Sequence, residues 1–161
     1  MRHFLASLCL SALSLSAASA ETLGTIEATW DGADRTWFIT SGNGESQSSV
    51  DTTAGVMDSV TLWGNPAETD LAATRDVVEL SFVTMRGPTG KIATSGEMRY
   101  LLNAYQDFWD ASEEGRTEVT LTAYDRSDTA LHLAGTFEAK ADHAGESRDV
   151  SGRFDVTFPL E

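Results

Sequence analysis

Four tryptophans and two pairs of aspartates are the residues of this 161-residue chain best equipped for binding chemistry. An indole presents a wide, flat, apolar face that stacks on a sugar ring or lines an apolar ligand site. Trp63 and Trp109 are the candidate ligand-binding residues. Trp30 and Trp37 flank one hairpin, where cross-strand packing is the ordinary use of an aromatic ring. Asp31 with Asp34, and Asp125 with Asp128, place paired carboxylates in tight turns, the geometry in which hard oxygen ligands converge on calcium. Neither pair follows the twelve-residue helix–loop–helix pattern, and aspartates in turns more commonly bond to their own backbone. Calcium is therefore the one cofactor that the residue types suggest, against the plainer expectation of none.

Signals for catalysis are few. Beyond residue 20 the chain has two histidines, His132 on the polar face of a predicted strand and His143 in a predicted turn. Gly44-Glu45-Ser46-Gln47-Ser48 lacks the final glycine of a nucleophile elbow, and no H-E-x-x-H run supplies zinc ligands. Gly87-Pro88-Thr89-Gly90-Lys91 is followed by Ile92 where a phosphate loop needs Ser or Thr. Carboxylates are plentiful, but sequence does not report the separation that an acid–base pair requires. The reading is a non-enzymatic module that binds a small molecule, a glycan or a protein. The alternatives are an envelope hydrolase with a carboxylate or calcium-assisted site, and a structural accessory that offers an edge strand to another protein.

Compartment is read from residues 1–20, MRHFLASLCLSALSLSAASA. A short basic start, an apolar stretch of about a dozen residues and a closing Ala18-Ser19-Ala20 form a secretory signal peptide with a cleavage site before Glu21. The stretch is too short for a membrane span, which needs about twenty apolar residues. Cys9 lies in mid-stretch after Leu8, not behind a small residue at its end, so no lipid-attachment motif is formed. It is also the chain's one cysteine, so a mature segment 21–161 folds without disulfides. The expected location is the periplasm or the medium. A net charge of −14 excludes a nucleic-acid footprint and disfavours anionic membranes.

These residues are positioned by strands. Leu131, Leu133, Gly135, Phe137 and Ala139 alternate with polar residues, as do Val150, Gly152, Phe154, Val156 and Phe158. A polar turn over 142–146 joins the two runs into a hairpin. Both runs carry Gly-x-Phe, so a ring can lie over the space beside a glycine. Thr25–Trp30 and Thr36–Thr40 flank Asp31-Gly32, a hairpin signal. Val119, Leu121 and Ala123 are assigned to one face of a further strand, and Thr120, Thr122 and Tyr124 to the other. Residues 96–112 admit two readings. Met98, Leu101, Leu102, Tyr105, Phe108 and Trp109 fit helical spacing, whereas Met98, Tyr100 and Leu102 also alternate as a strand would.

The segments Val119-Thr120-Leu121-Thr122, Leu133-Ala134-Gly135-Thr136-Phe137 and Val150-Ser151-Gly152-Arg153-Phe154 resemble a loose group of uncharacterised small secreted and lipoprotein-like bacterial β-proteins with paired Gly-x-Phe strands near the C-terminus. The resemblance implies an exported β-sandwich or open barrel and brings no reaction or site residues with it. It tilts residues 96–112 toward strand–loop–strand. The expectation is one mainly-β domain over 21–161, a sandwich or partly closed barrel of seven to nine strands, with a helix near 96–112 as the alternative.

Overall fold

The computed structural model describes residues 21–41, 48–51, 57–70, 73–87 and 90–160, so the predicted signal peptide and Gly44–Gln47 lie outside it. Ten strands form a single antiparallel sheet: β1 (Glu21–Trp30), β2 (Ala33–Ser41), β3 (Ser49–Asp51), β4 (Met57–Gly64), β5 (Val77–Gly87), β6 (Gly90–Asn103), β7 (Asp107–Ala111), β8 (Thr117–Arg126), β9 (Ala130–His143) and β10 (Glu146–Pro159). The fold is mainly β, as expected, with more strands than the seven to nine anticipated. No helix among the described residues is long and apolar enough to cross a membrane.

The strand order is β2-β1-β10-β9-β7-β6-β5-β4-β3, with β8 filling the space between β9 and β6 beside β7. The sheet curls into a partial ring. Edge strand β2 comes back to the end of β4, the strand next to the β3 edge, where Phe38 and Asn65 exchange backbone hydrogen bonds of 2.8 Å in each direction. Pro66 then follows, and β4 continues no further along β2.

Alternation fixes which side chains point inward. Ile26 and Trp30 of β1, Leu62 of β4, Leu80 of β5, Leu133 and Phe137 of β9 and Phe154 of β10 belong to one buried core inside the ring. The hairpins that supply them close on two-residue turns. Asp31 and Gly32 have φ of 54° and 74°, and Ala144 and Gly145 have 51° and 86°. Positive φ at both central residues gives the tight turn the twist that flanking strands need.

Residues 96–112 are β6, a turn and β7, so the helical alternative does not hold. Met98 and Tyr100 point into the ring, while Leu101 is buried on the outside against Trp63, Ala73 and Val77. Leu101, buried on the outer face of a strand whose inner face is also apolar, completes spacings that imitate a helix. The face assignment of β8 is also corrected. Its register against β9 shifts between Leu121 and Ala123, so Tyr124 pairs with Leu133 and packs against the interior core. One extra residue reverses every later side chain.

Candidate functional site

The ring has two unlike ends. One is formed by the β1–β2 and β9–β10 turns, the end of β4, the start of β5 and the β6–β7 turn. Here Trp30, Tyr100 and Trp109 form a continuous aromatic cluster, with centroids 4.5 Å apart and tilted for Trp30–Tyr100 and 5.7 Å apart and edge-to-face for Trp30–Trp109. Trp37 meets Tyr100 edge-on at 5.9 Å. All four rings are buried. Each sits on an inward position of its strand, so the cluster follows directly from period-two geometry.

Polar groups close over this cluster. Tyr100 donates its hydroxyl to Asp76 Oδ1 at 2.7 Å and accepts from Arg35 Nη1 at 2.8 Å. Trp37 Nε1 donates to the Asp76 carbonyl at 2.7 Å, which ties the loop before β5 to β2. Burial, reinforced by the Asp76 carboxylate, pushes the Tyr100 hydroxyl up to about 12, with Arg35 acting in the opposite direction. The Arg148 guanidinium lies 4.1 Å from the centre of the Trp109 ring and pairs with Asp31 and Glu146. His143 stacks beside Trp109 at 5.1 Å and pairs with Asp107 through Nε2 at 2.6 Å. A groove of about 310 Å³ runs past Trp30, Asp31, Gly32 and Arg148 at this rim.

The outside of the same end carries a second aromatic group. Trp63, Ala73, Val77 and Leu101 are packed together, with Phe108 against them. Tyr105 caps this group, 6.2 Å from Trp63 and 6.4 Å from Phe108. Trp63 and Trp109 therefore share an end of the ring but not a face, and they do not line one site. Both are buried, at 6% and 4% exposed.

The far end is different. Asp58 is buried at 3% exposed and accepts from the Tyr124 hydroxyl at 2.5 Å and from Thr84 Oγ1 at 3.2 Å. Burial and the Asp58 carboxylate raise the pKa of Tyr124, opposed by Arg126. Each end is thus stoppered by a tyrosine held between an aspartate and an arginine.

The candidate calcium pairs are placed at opposite ends, and three of the four carboxylates have other partners. Asp31 pairs with Arg148, and Asp34 accepts from Thr29 Oγ1 at 2.8 Å. Asp125 faces His132 at 3.5 Å, and Asp128 stands in the β8–β9 turn. Among the described residues no group of three or more His, Cys, Asp or Glu is arranged to hold a metal ion. Neither histidine is isolated. His132 also meets Asp155 at 3.1 Å on the outer face, where the two carboxylates outweigh partial burial and raise its pKa.

Sequence reading missed Tyr100, Asp76, Arg35 and Arg148. Tyr100 was visible only as a member of an ambiguous segment. The two arginines stand beside acidic residues near strand starts, Arg35 after Asp34 and Arg148 between Glu146 and Asp149, a pattern that ordinarily marks a solvated face. No family model matches the chain, and no curated protein or solved structure matches it either.

Proposed function

We propose that this protein is an exported, non-enzymatic binding module whose recognition surface is the tryptophan-bearing end of the ring. The observation that carries this reading is polarity. All four tryptophans, with Tyr100, Tyr105, Phe108 and His143, gather at one end, capped by Arg35 and Arg148. Aromatic residues with a few convergent polar groups favour ligand recognition through large contact area and directional hydrogen bonds. The interior is filled by Leu62, Leu80, Leu133, Phe137 and Phe154, so binding takes place at the rim of the ring and not within it.

Export rests on the signal-like residues 1–20 and places the binder in the periplasm or the medium. The test is amide and indole ¹H–¹⁵N spectra of residues 21–161, titrated separately with neutral hexasaccharides, laurate and calcium. The reading expects saturable shifts centred on the tryptophan end. Shifts centred on Asp58 and Tyr124, or on the outer face of β1, β10 and β9, overturn it.

A further inference from the structure

We infer that Tyr105 is the stacking platform of a site for a neutral oligosaccharide on the outside of the tryptophan-bearing end, an inference that rests on the proposed function and narrows it. Tyr105 is the one aromatic residue exposed among the described residues, at 53%. Its neighbours Trp63 and Phe108 are turned into the molecule, so the ring stands proud of a rigid aromatic base. The C–H face of a pyranose is apolar and flat, and it covers such a ring in water with little loss of conformational freedom.

Hydrogen-bonding groups for the sugar's edge stand beside the ring. The Tyr105 hydroxyl donates to Glu79 Oε2 at 3.2 Å. Glu79 in turn pairs with Arg99 at 3.5 Å, and Arg99 also meets Glu97 at 3.3 Å and Asp110 at 3.4 Å. This row presents carboxylate acceptors and guanidinium donors at the spacing of adjacent strands, a match for the mixed donor–acceptor character of sugar hydroxyls. Three carboxylates around one guanidinium leave the patch negative, on a chain already at −14. Anionic glycans and phosphates are repelled, which selects a neutral sugar.

The platform is held in place before any ligand arrives. Ala104, next to it, has a φ of 52°, and its N–H donates to the Thr74 carbonyl at 2.5 Å. Arg75 Nε donates to Asn103 Oδ1 at 3.2 Å. A non-glycine residue kept at positive φ marks a turn whose shape is fixed by its surroundings. Preorganisation of this kind lowers the entropic cost of binding.

The experiment is calorimetric titration of cellohexaose and chitohexaose into residues 21–161, with Tyr105→Ala, Tyr105→Trp and Arg148→Ala alongside. At least one hexasaccharide is expected to bind saturably, at least tenfold more weakly to Tyr105→Ala and with retained affinity to Tyr105→Trp. No saturable binding of either sugar to the wild type overturns the inference. So does equal affinity for wild type and Tyr105→Ala. Binding that survives Tyr105→Ala but is lost in Arg148→Ala overturns the Tyr105 platform while leaving recognition at the tryptophan end in place. Unchanged melting temperature in Tyr105→Ala certifies that a lost affinity is not lost folding.

Discussion

Glycine and phenylalanine are reciprocal partners across β9 and β10. Gly152 stands opposite Phe137 and Gly135 opposite Phe154 in the register of the hairpin. A Cβ built on Gly152 would meet Phe137 ring carbons at 2.5 Å, and one on Gly135 would meet the Phe154 ring at 2.8 Å. Each ring therefore lies over the backbone of the opposite strand, covering a glycine that would otherwise leave a gap. The pairing was half legible in sequence, because both Gly-x-Phe motifs placed ring and glycine on one face. That each ring serves the partner strand's glycine required the register. Gly152→Ala is expected to cost about 1–3 kcal/mol by overpacking, read as a lowered urea midpoint. His132 supplies a pH-dependent prediction at the same scale. Its raised pKa means that pairing with Asp155 and Asp125 stabilises the fold below about pH 6.5, the ordinary histidine value, and that this contribution fades as pH rises through the folded-state value. His132→Gln should lower the urea midpoint at pH 5 and leave it nearly unchanged at pH 8.

The strands and turns divide into those that sequence dictates and those that packing decides. The β1–β2 and β9–β10 hairpins were readable because alternation and glycine-bearing turns point the same way. The β6–β7 segment was ambiguous for a physical reason. Leu101 is buried outside the ring by Trp63, Ala73 and Val77, on the face that also carries Glu97 and Arg99, so one apolar residue breaks the alternation that would betray the period. The bulge in β8 is invisible to alternation, yet it turns Tyr124 toward Asp58 and so creates the polar plug at the far end. Its counterpart at the tryptophan end is Tyr100. Tyr100→Phe should cost about 1 kcal/mol, the net value of a buried hydrogen bond. The same variant should flatten the alkaline limb of the stability curve. The Tyr100 hydroxyl is pushed up to about 12 in the fold against 10 when free, so its contribution to stability is complete below pH 10 and is lost as pH climbs between those values. Thermal unfolding across that range reads the difference. In the β6–β7 turn, Ala104→Gly removes a left-handed alanine and should stabilise the fold by about 0.5–1 kcal/mol.

At the scale of the molecule, the partial ring is tied from β2 to the end of β4 through one short bridge among the described residues. Phe38 and Asn65 supply its two backbone hydrogen bonds, and Asn65 Nδ2 donates to Thr40 Oγ1 at 3.3 Å. Among the described residues Asn65 Oδ1 is buried without a hydrogen-bond partner, a cost concentrated at the seam. Sequence predicted a sandwich or partly closed barrel without choosing between them, since the choice depends on which strands pair across long separations. The candidate site was legible only in part. Trp63 and Trp109 were named for their chemistry, and both stand at the tryptophan-bearing end, but on opposite faces of the sheet. Tyr105 carried no distinguishing signal, because exposure is a property of the assembled ring. Everything proposed for this molecule depends on ligand recognition at this end. It is tested most directly by following the four indole N–H signals of ¹⁵N-labelled protein during titration with cellohexaose and with chitohexaose. The Trp63 signal, beside Tyr105, is expected to move saturably with at least one sugar, and Tyr105→Ala to abolish the movement. A bound sugar that leaves all four indole signals in place, while shifting amides around Asp58 and Tyr124, would contradict it.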